Sequence, residues 1–125
     1  MKELHFNTIL EIVTHFYERA TRDILIGYHF RVIEDFDHHI PRIADFWNLQ
    51  LNGKMEDRSH LPFNLLTTHM PLKINMGEIH RWVVLFEETL NEHCLREKIS
   101  KEDVEKWLLR ITPFKEKIKT MVMNK

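Results

Sequence analysis

The sequence predicts an all-α fold, and three observations carry that expectation. Apolar residues recur at steps of three and four along most of the chain, the period that lines one face of a helix. Only three glycines and four prolines punctuate 125 residues, far fewer turn signals than a chain of short strands requires. Small polar residues followed three positions later by Glu or Asp open several of the apolar stripes, the spacing of a helix capping box.

The first stripe is Phe6, Ile9, Leu10, Val13, Phe16, Tyr17, Ala20 and Ile24. Thr8-Ile9-Leu10-Glu11 has the capping-box spacing and Gly27 punctuates the far end, so a first helix is expected from about Thr8 to Ile26. A second is expected from Asp37 to Leu51, with Ile40, Ile43, Phe46, Trp47 and Leu51 on or near one face and Asn52-Gly53 as its stop. Pro41 falls inside it and predicts a later start or a distortion beside His39. Residues 54–63 are mixed and polar and read as a loop. Asn64 then caps a short helical segment carrying His69, which Pro71 ends. A third strong helix opens with Asn75-Met76-Gly77-Glu78 and turns Ile79, Trp82, Val83, Phe86 and Leu90 inward. The fourth opens with Ser100-Lys101-Glu102-Asp103 and buries Val104, Trp107, Leu108, Ile111, Phe114, Ile118 and Met121 or Val122, with a kink expected at Pro113.

Whole-chain quantities point to a single domain spanning residues 1–125. The 18 basic and 19 acidic residues are interspersed and sum to a net charge of −1, which gives no electrostatic case for nucleic acid or an anionic membrane. There is no apolar run near membrane-spanning length and no signal-peptide pattern at the start. Cys94 is the only cysteine, so no intrachain disulfide can form. The expectation is a soluble cytoplasmic protein, a monomer or weak oligomer.

Nine histidines raise the question of metal chemistry. Paired cysteines, His-Glu-x-x-His and repeated Glu-x-x-His are all missing, which disfavours zinc-finger, zincin and di-iron schemes. His38 and His39 are adjacent and point to different faces of a helix, so they do not chelate one ion. His5, His15, His29, His60 and His93 occupy polar or terminal positions and read as surface residues, and His80 reads as solvent-facing. His69 differs, standing one turn after Leu65-Leu66 just before a forced helix stop. The ordinary reading of such a residue is a satisfied loop histidine. The alternative is a single axial imidazole, which together with apolar faces and polar aromatics from separate helices is how an all-helical protein holds haem. Tyr17 and Trp82 sit on apolar stripes, where an aromatic is ordinarily core. When buried, though, the phenol and the indole N–H each need a hydrogen-bond partner. With His39 on a third helix, all three side chains can face one polar ligand.

These residues resemble the truncated haemoglobins, and within them the third group. The resemblance rests on Phe16-Tyr17-Glu18-Arg19, Phe30 after the Gly27 corner, and His39-Ile40-Pro41-Arg42-Ile43-Ala44-Asp45-Phe46-Trp47. His69 after the loop and Trp82-Val83-Val84-Leu85-Phe86-Glu87-Glu88-Thr89-Leu90 complete it. It spans about residues 8–122, and the scarcity of glycine pairs favours the third group over the glycine-rich others.

The resemblance implies an abbreviated globin, a two-over-two helical sandwich around non-covalent haem b, since no Cys-x-x-Cys-His attaches the macrocycle. It implies His69 as the proximal iron ligand, Tyr17 and Trp82 as distal hydrogen-bond donors, and His39 in the distal-histidine position. Phe30 would wedge the haem edge, Ile43, Phe46 and Trp47 would wall the pocket, and Arg42, Lys73 or Arg81 would pair with the propionates. The implied ligand is dioxygen, with NO or CO as alternatives. Peroxide reduction and NO detoxification are the redox reactions consistent with such a site, and turnover would need a separate reductase. A dedicated peroxidase would differ only in kinetics. The competing class is a haem-free helical module that binds a protein partner.

Overall fold

The computed structural model describes residues 4–31, 36–53 and 76–123, without the side chains of 36, 38 and 121–123. The regular structure among the described residues is all helix, with no strand. In order they form α1 (Phe6–Arg22), α2 (Gly27–Arg31), α3 (Phe36–Asn52), α4 (Met76–Leu95) and α5 (Lys101–Met123). The expected loop over 54–63, the short helix carrying His69, and Lys73 lie outside the described residues, as do the side chains of Met121 and Val122.

The first helix corrects the expectation at both ends. It begins two residues before Thr8, with the carbonyl of His5 accepting from the N–H groups of Thr8 and Ile9, and no side chain caps it. It stops at Arg22, well short of Ile26. The reason is Asp23, which leaves the helix in extended backbone and turns its Oδ1 onto the N–H groups of Leu25 and Ile26, at 3.0 and 3.1 Å. An Asx turn of this kind competes with helix continuation. Ile24, the last residue of the expected stripe, is consequently 94% exposed. The chain then makes the separate short helix α2. It starts at Gly27, where a Cβ would lie 2.7 Å from the Thr21 carbonyl, so only glycine allows this close return.

The other boundaries follow the sequence more closely. Helix α3 starts at Phe36 and continues through Pro41, which forgoes one donor without ending it. It ends at Gly53, whose φ of +76° and whose N–H bond to the Leu49 carbonyl at 3.0 Å make a left-handed cap. Helix α5 opens with the expected box: Ser100 Oγ accepts from the Asp103 N–H at 3.1 Å and Asp103 Oδ2 accepts from the Ser100 N–H at 3.0 Å. It runs on through Pro113.

Helix α1 lies at the centre of the packing, against α2, α3 and α4, while α4 pairs with α5 and α5 also reaches α3. The core contains Ile9, Ile12, Val13 and Phe16 of α1, Trp47 of α3, Phe86 and Leu90 of α4, and Trp107 and Ile111 of α5. Trp107 packs its ring 5.8 Å from Trp47 and 5.4 Å from Phe86. At about 25 cal/mol per Å² of buried apolar surface, aromatics of this size dominate the cohesion of the domain.

Candidate functional site

Three helices bring an aromatic group of mixed polarity to one place. Positions 16 and 17 of α1 are both buried, so Phe16 and Tyr17 enter the interior side by side, ring centres 5.8 Å apart. Helix α2 adds Phe30, which meets Tyr17 edge-on at 5.3 Å and Phe16 at 6.0 Å. Helix α4 adds Trp82, whose ring stands at 89° to Phe16 at 6.4 Å. Helix α3 supplies His39. Its Nε2 lies 3.0 Å from the Tyr17 hydroxyl, and the rings are 5.5 Å apart. Residues 22 positions apart in sequence thus share a hydrogen bond inside a wall of Phe16, Phe30 and Trp82.

The environment fixes the protonation of both partners. Burial pushes the Tyr17 phenol above its ordinary pKa of 10.0, so it stays an O–H donor at neutral pH. Burial first, and the nearby Arg42 charge second, hold His39 below the ordinary 6.5. A neutral imidazole has one donor and one acceptor nitrogen, and a phenol can donate and accept. The pair can therefore offer a proton to a small polar ligand while remaining bonded to each other. It is a hydrogen-bonding site.

The other expected pocket residues are distributed as follows. Ile43 and Phe46 are buried on α3, and Arg42 is half-buried beside His39. Trp47 belongs to the core, with its ring against Phe46, Phe86, Trp107 and Phe114. Arg81 pairs with Asp23, Nε to Oδ2 at 2.9 Å, and that bond holds the Asp23 carboxyl below its usual range. His69 and Lys73 lie outside the described residues.

Two polar clusters escaped the sequence reading. Helix α2 is joined to α4 by Tyr28 and His29, both bonded to the buried Glu78 carboxylate, His29 Nε2 at 2.9 Å. His93, expected at the surface, is 1% exposed, and its Nε2 lies 3.0 Å from Nδ1 of His15. The signal was present, because His93 continues the Ile79, Phe86, Leu90 face by one more three-residue step. In comparisons with protein-family models, characterised proteins and solved structures, nothing matches this chain.

Proposed function

We propose that this protein is a haem-binding globin of the truncated, two-over-two type that binds a diatomic ligand, dioxygen foremost, beside Tyr17 and His39. The reading rests on one observation, the 3.0 Å hydrogen bond between a buried phenol and a half-buried neutral imidazole inside an aromatic wall. The pairing of α1 with α3 and of α4 with α5 supports a sandwich of two helix pairs.

The donor set fits the distal half of a haem site. Tyr17 and His39 would supply hydrogen bonds, while Phe16, Phe30 and Trp82, which pack ring against ring beside them, would shield the site from water and offer apolar surface to a flat macrocycle. His69 would hold the iron through an imidazole nitrogen. Bound haem would supply an iron that coordinates dioxygen, NO or CO and exchanges electrons. The chain's own task would be electrostatic: Tyr17 would donate a hydrogen bond toward a diatomic ligand, and His39 would keep the phenol oriented. Trp82, through its indole N–H, would add a second donor. Peroxide reduction or NO detoxification with a separate reductant follows from the same donors.

The test is the visible absorption spectrum of the full chain as purified, after haemin addition, and after reduction under carbon monoxide. An intense near-ultraviolet band at one haem per chain, lost or shifted in His69→Ala, is the expected result. Failure to form that band with added haemin would overturn the proposal and turn attention to a protein partner.

A further inference from the structure

Away from Tyr17 and His39, the facing sides of α1 and α4 gather three metal-ligating side chains. Glu11 and His15 are one helical turn apart on α1, and His93 comes from the last turn of α4. Their candidate ligand atoms all lie within 4.8 Å of one another. We propose that Glu11, His15 and His93 form a binding site for a divalent transition-metal ion of the zinc class, independent of any haem.

The geometry lies close to that of a shared ion. Two imidazole nitrogens bound to tetrahedral zinc at about 2.0–2.1 Å lie about 3.3 Å apart. His15 Nδ1 and His93 Nε2 are 3.0 Å apart, so the site needs an opening of only a few tenths of an ångström, with ring centres already at 4.8 Å. The Thr89 carbonyl, one turn back on α4, lies 3.3 Å from His93 Nδ1. That carbonyl accepts the Nδ1 proton, which leaves the Nε2 lone pair facing His15. A carbonyl that sets the tautomer of a ligating histidine is the usual support behind a metal ligand.

Without metal, His15 donates its Nδ1 proton to His93, and a cation already sits at the third ligand. Lys98 Nζ pairs with Glu11 Oε1, and Glu92 is the other charged group near His93. Lys98 reaches Glu11 through the turn that ends α4, where Glu97 adopts a positive φ of 60° and the Lys98 N–H bonds the His93 carbonyl at 3.0 Å. Zinc would take over the Glu11 carboxylate from the ammonium, and the His15 proton would move to Nε2 so that Nδ1 can ligate. An open position remains for water or an exchangeable anion, since three protein ligands leave tetrahedral zinc one site short. His15 also borders an open groove of about 540 Å³ between α1 and α4, lined by charged residues including Arg19, Glu92 and Arg96, which gives solvent ions an approach.

The experiment is calorimetric titration of zinc chloride into the chelator-treated full chain. One tight equivalent is expected, and Glu11→Gln and His15→Gln should each weaken it at least tenfold. Both positions are partly exposed, so the variants should melt within a few degrees of the parent without zinc, and only the parent's melting should rise with zinc. Lys98→Met releases the carboxylate and should tighten binding several-fold. His80→Gln, at an exposed histidine, should leave the affinity unchanged. The proposal is overturned if no equivalent binds, if Glu11→Gln and His15→Gln bind zinc as the parent does, or if Lys98→Met binds it more weakly.

Discussion

Tyr17 brings a phenol out of water and keeps it hydrogen-bonded, and that combination separates it from the phenylalanines around it. Phe16, one residue earlier, is equally buried and needs no partner, whereas Tyr17 finds one in His39 at 3.0 Å. Tyr17→Phe removes that bond with little change in shape. In the haem-free chain the expected loss is about 1 kcal/mol of stability, the net worth of one hydrogen bond. In the ferrous, haem-loaded chain the same change should speed dioxygen release roughly tenfold or more, because a donor to a partly charged ligand contributes about 1.5–3 kcal/mol. Stopped-flow ligand exchange measures the second effect and a urea melt the first. An unchanged off-rate alongside the stability loss would make Tyr17 a core residue with a satisfied hydroxyl. That Tyr17 and His39 stand on two long helices, with Tyr17 on the inward stripe of the first, was legible from apolar periodicity. Their contact was not, since it depends on how α1 and α3 cross.

At the scale of elements, two short polar devices decide where helices stop, and neither follows from apolar periodicity. Asp23 ends α1, caps the turn into α2 through Oδ1, and anchors that turn to α4 through Oδ2 and Arg81, the guanidinium Nη2 lying 2.7 Å away. Its stripe neighbour Ile24 read as helical because the apolar period continues one step past the true end. The Arg81 hydrogen bond holds the Asp23 carboxyl below its ordinary 3.8. A carboxyl whose folded pKa is depressed stabilises the fold fully above the unfolded value, and that contribution disappears as pH falls through the folded one. Asp23→Asn keeps an oxygen for the turn but loses the ion pair. It should cost about 1–2 kcal/mol at neutral pH. The gap to the parent should close below pH 3.8, where the parent's carboxyl also becomes neutral, and thermal melts across that range would show it. Glu97 is the second device. It takes the left-handed position of a Schellman turn, with its N–H on the Cys94 carbonyl and the Lys98 N–H on the His93 carbonyl, both at 3.0 Å. Glycine is the usual occupant, so a glutamate at position 97 does not announce the turn. Glu97→Gly should raise stability by up to about 1 kcal/mol, the relief of a side chain held at positive φ. A melting temperature that falls instead would mean the Glu97 side chain contributes more than its backbone costs. The capping box at Ser100 was legible for the opposite reason, being a contact between residues three apart that needs no tertiary structure.

The whole molecule makes its polar choices where helices meet. The all-helical character and the inward faces of the long helices were readable from spacing alone. Clusters that draw on separate helices were readable only in part. His93 occupies an apolar-face position with a polar residue type, and composition weighed against its burial until α1 supplied His15 as a partner. Similarly, Glu78 has the sequence position of a capping residue and turns out to tie α2 to α4 through Tyr28 and His29. That tie fixes the short helix that presents Phe30 to Tyr17, so the aromatic wall is held by hydrogen bonds outside it. A chain whose helices close around a macrocycle must leave space for it, and without haem that space lowers the density of contacts. Ligand that binds only the folded state adds RT ln(1 + [L]/Kd) to stability, about 2.7 kcal/mol at a hundredfold excess over Kd. Haemin at that excess should therefore raise the melting temperature of the full chain by several degrees, the rise should shrink in His69→Ala, and Glu78→Gln should reduce it through the loosened placement of α2. A haem-free helical module would melt at the same temperature whether or not haemin is present, and equal melting curves for the parent chain would decide for that class of protein.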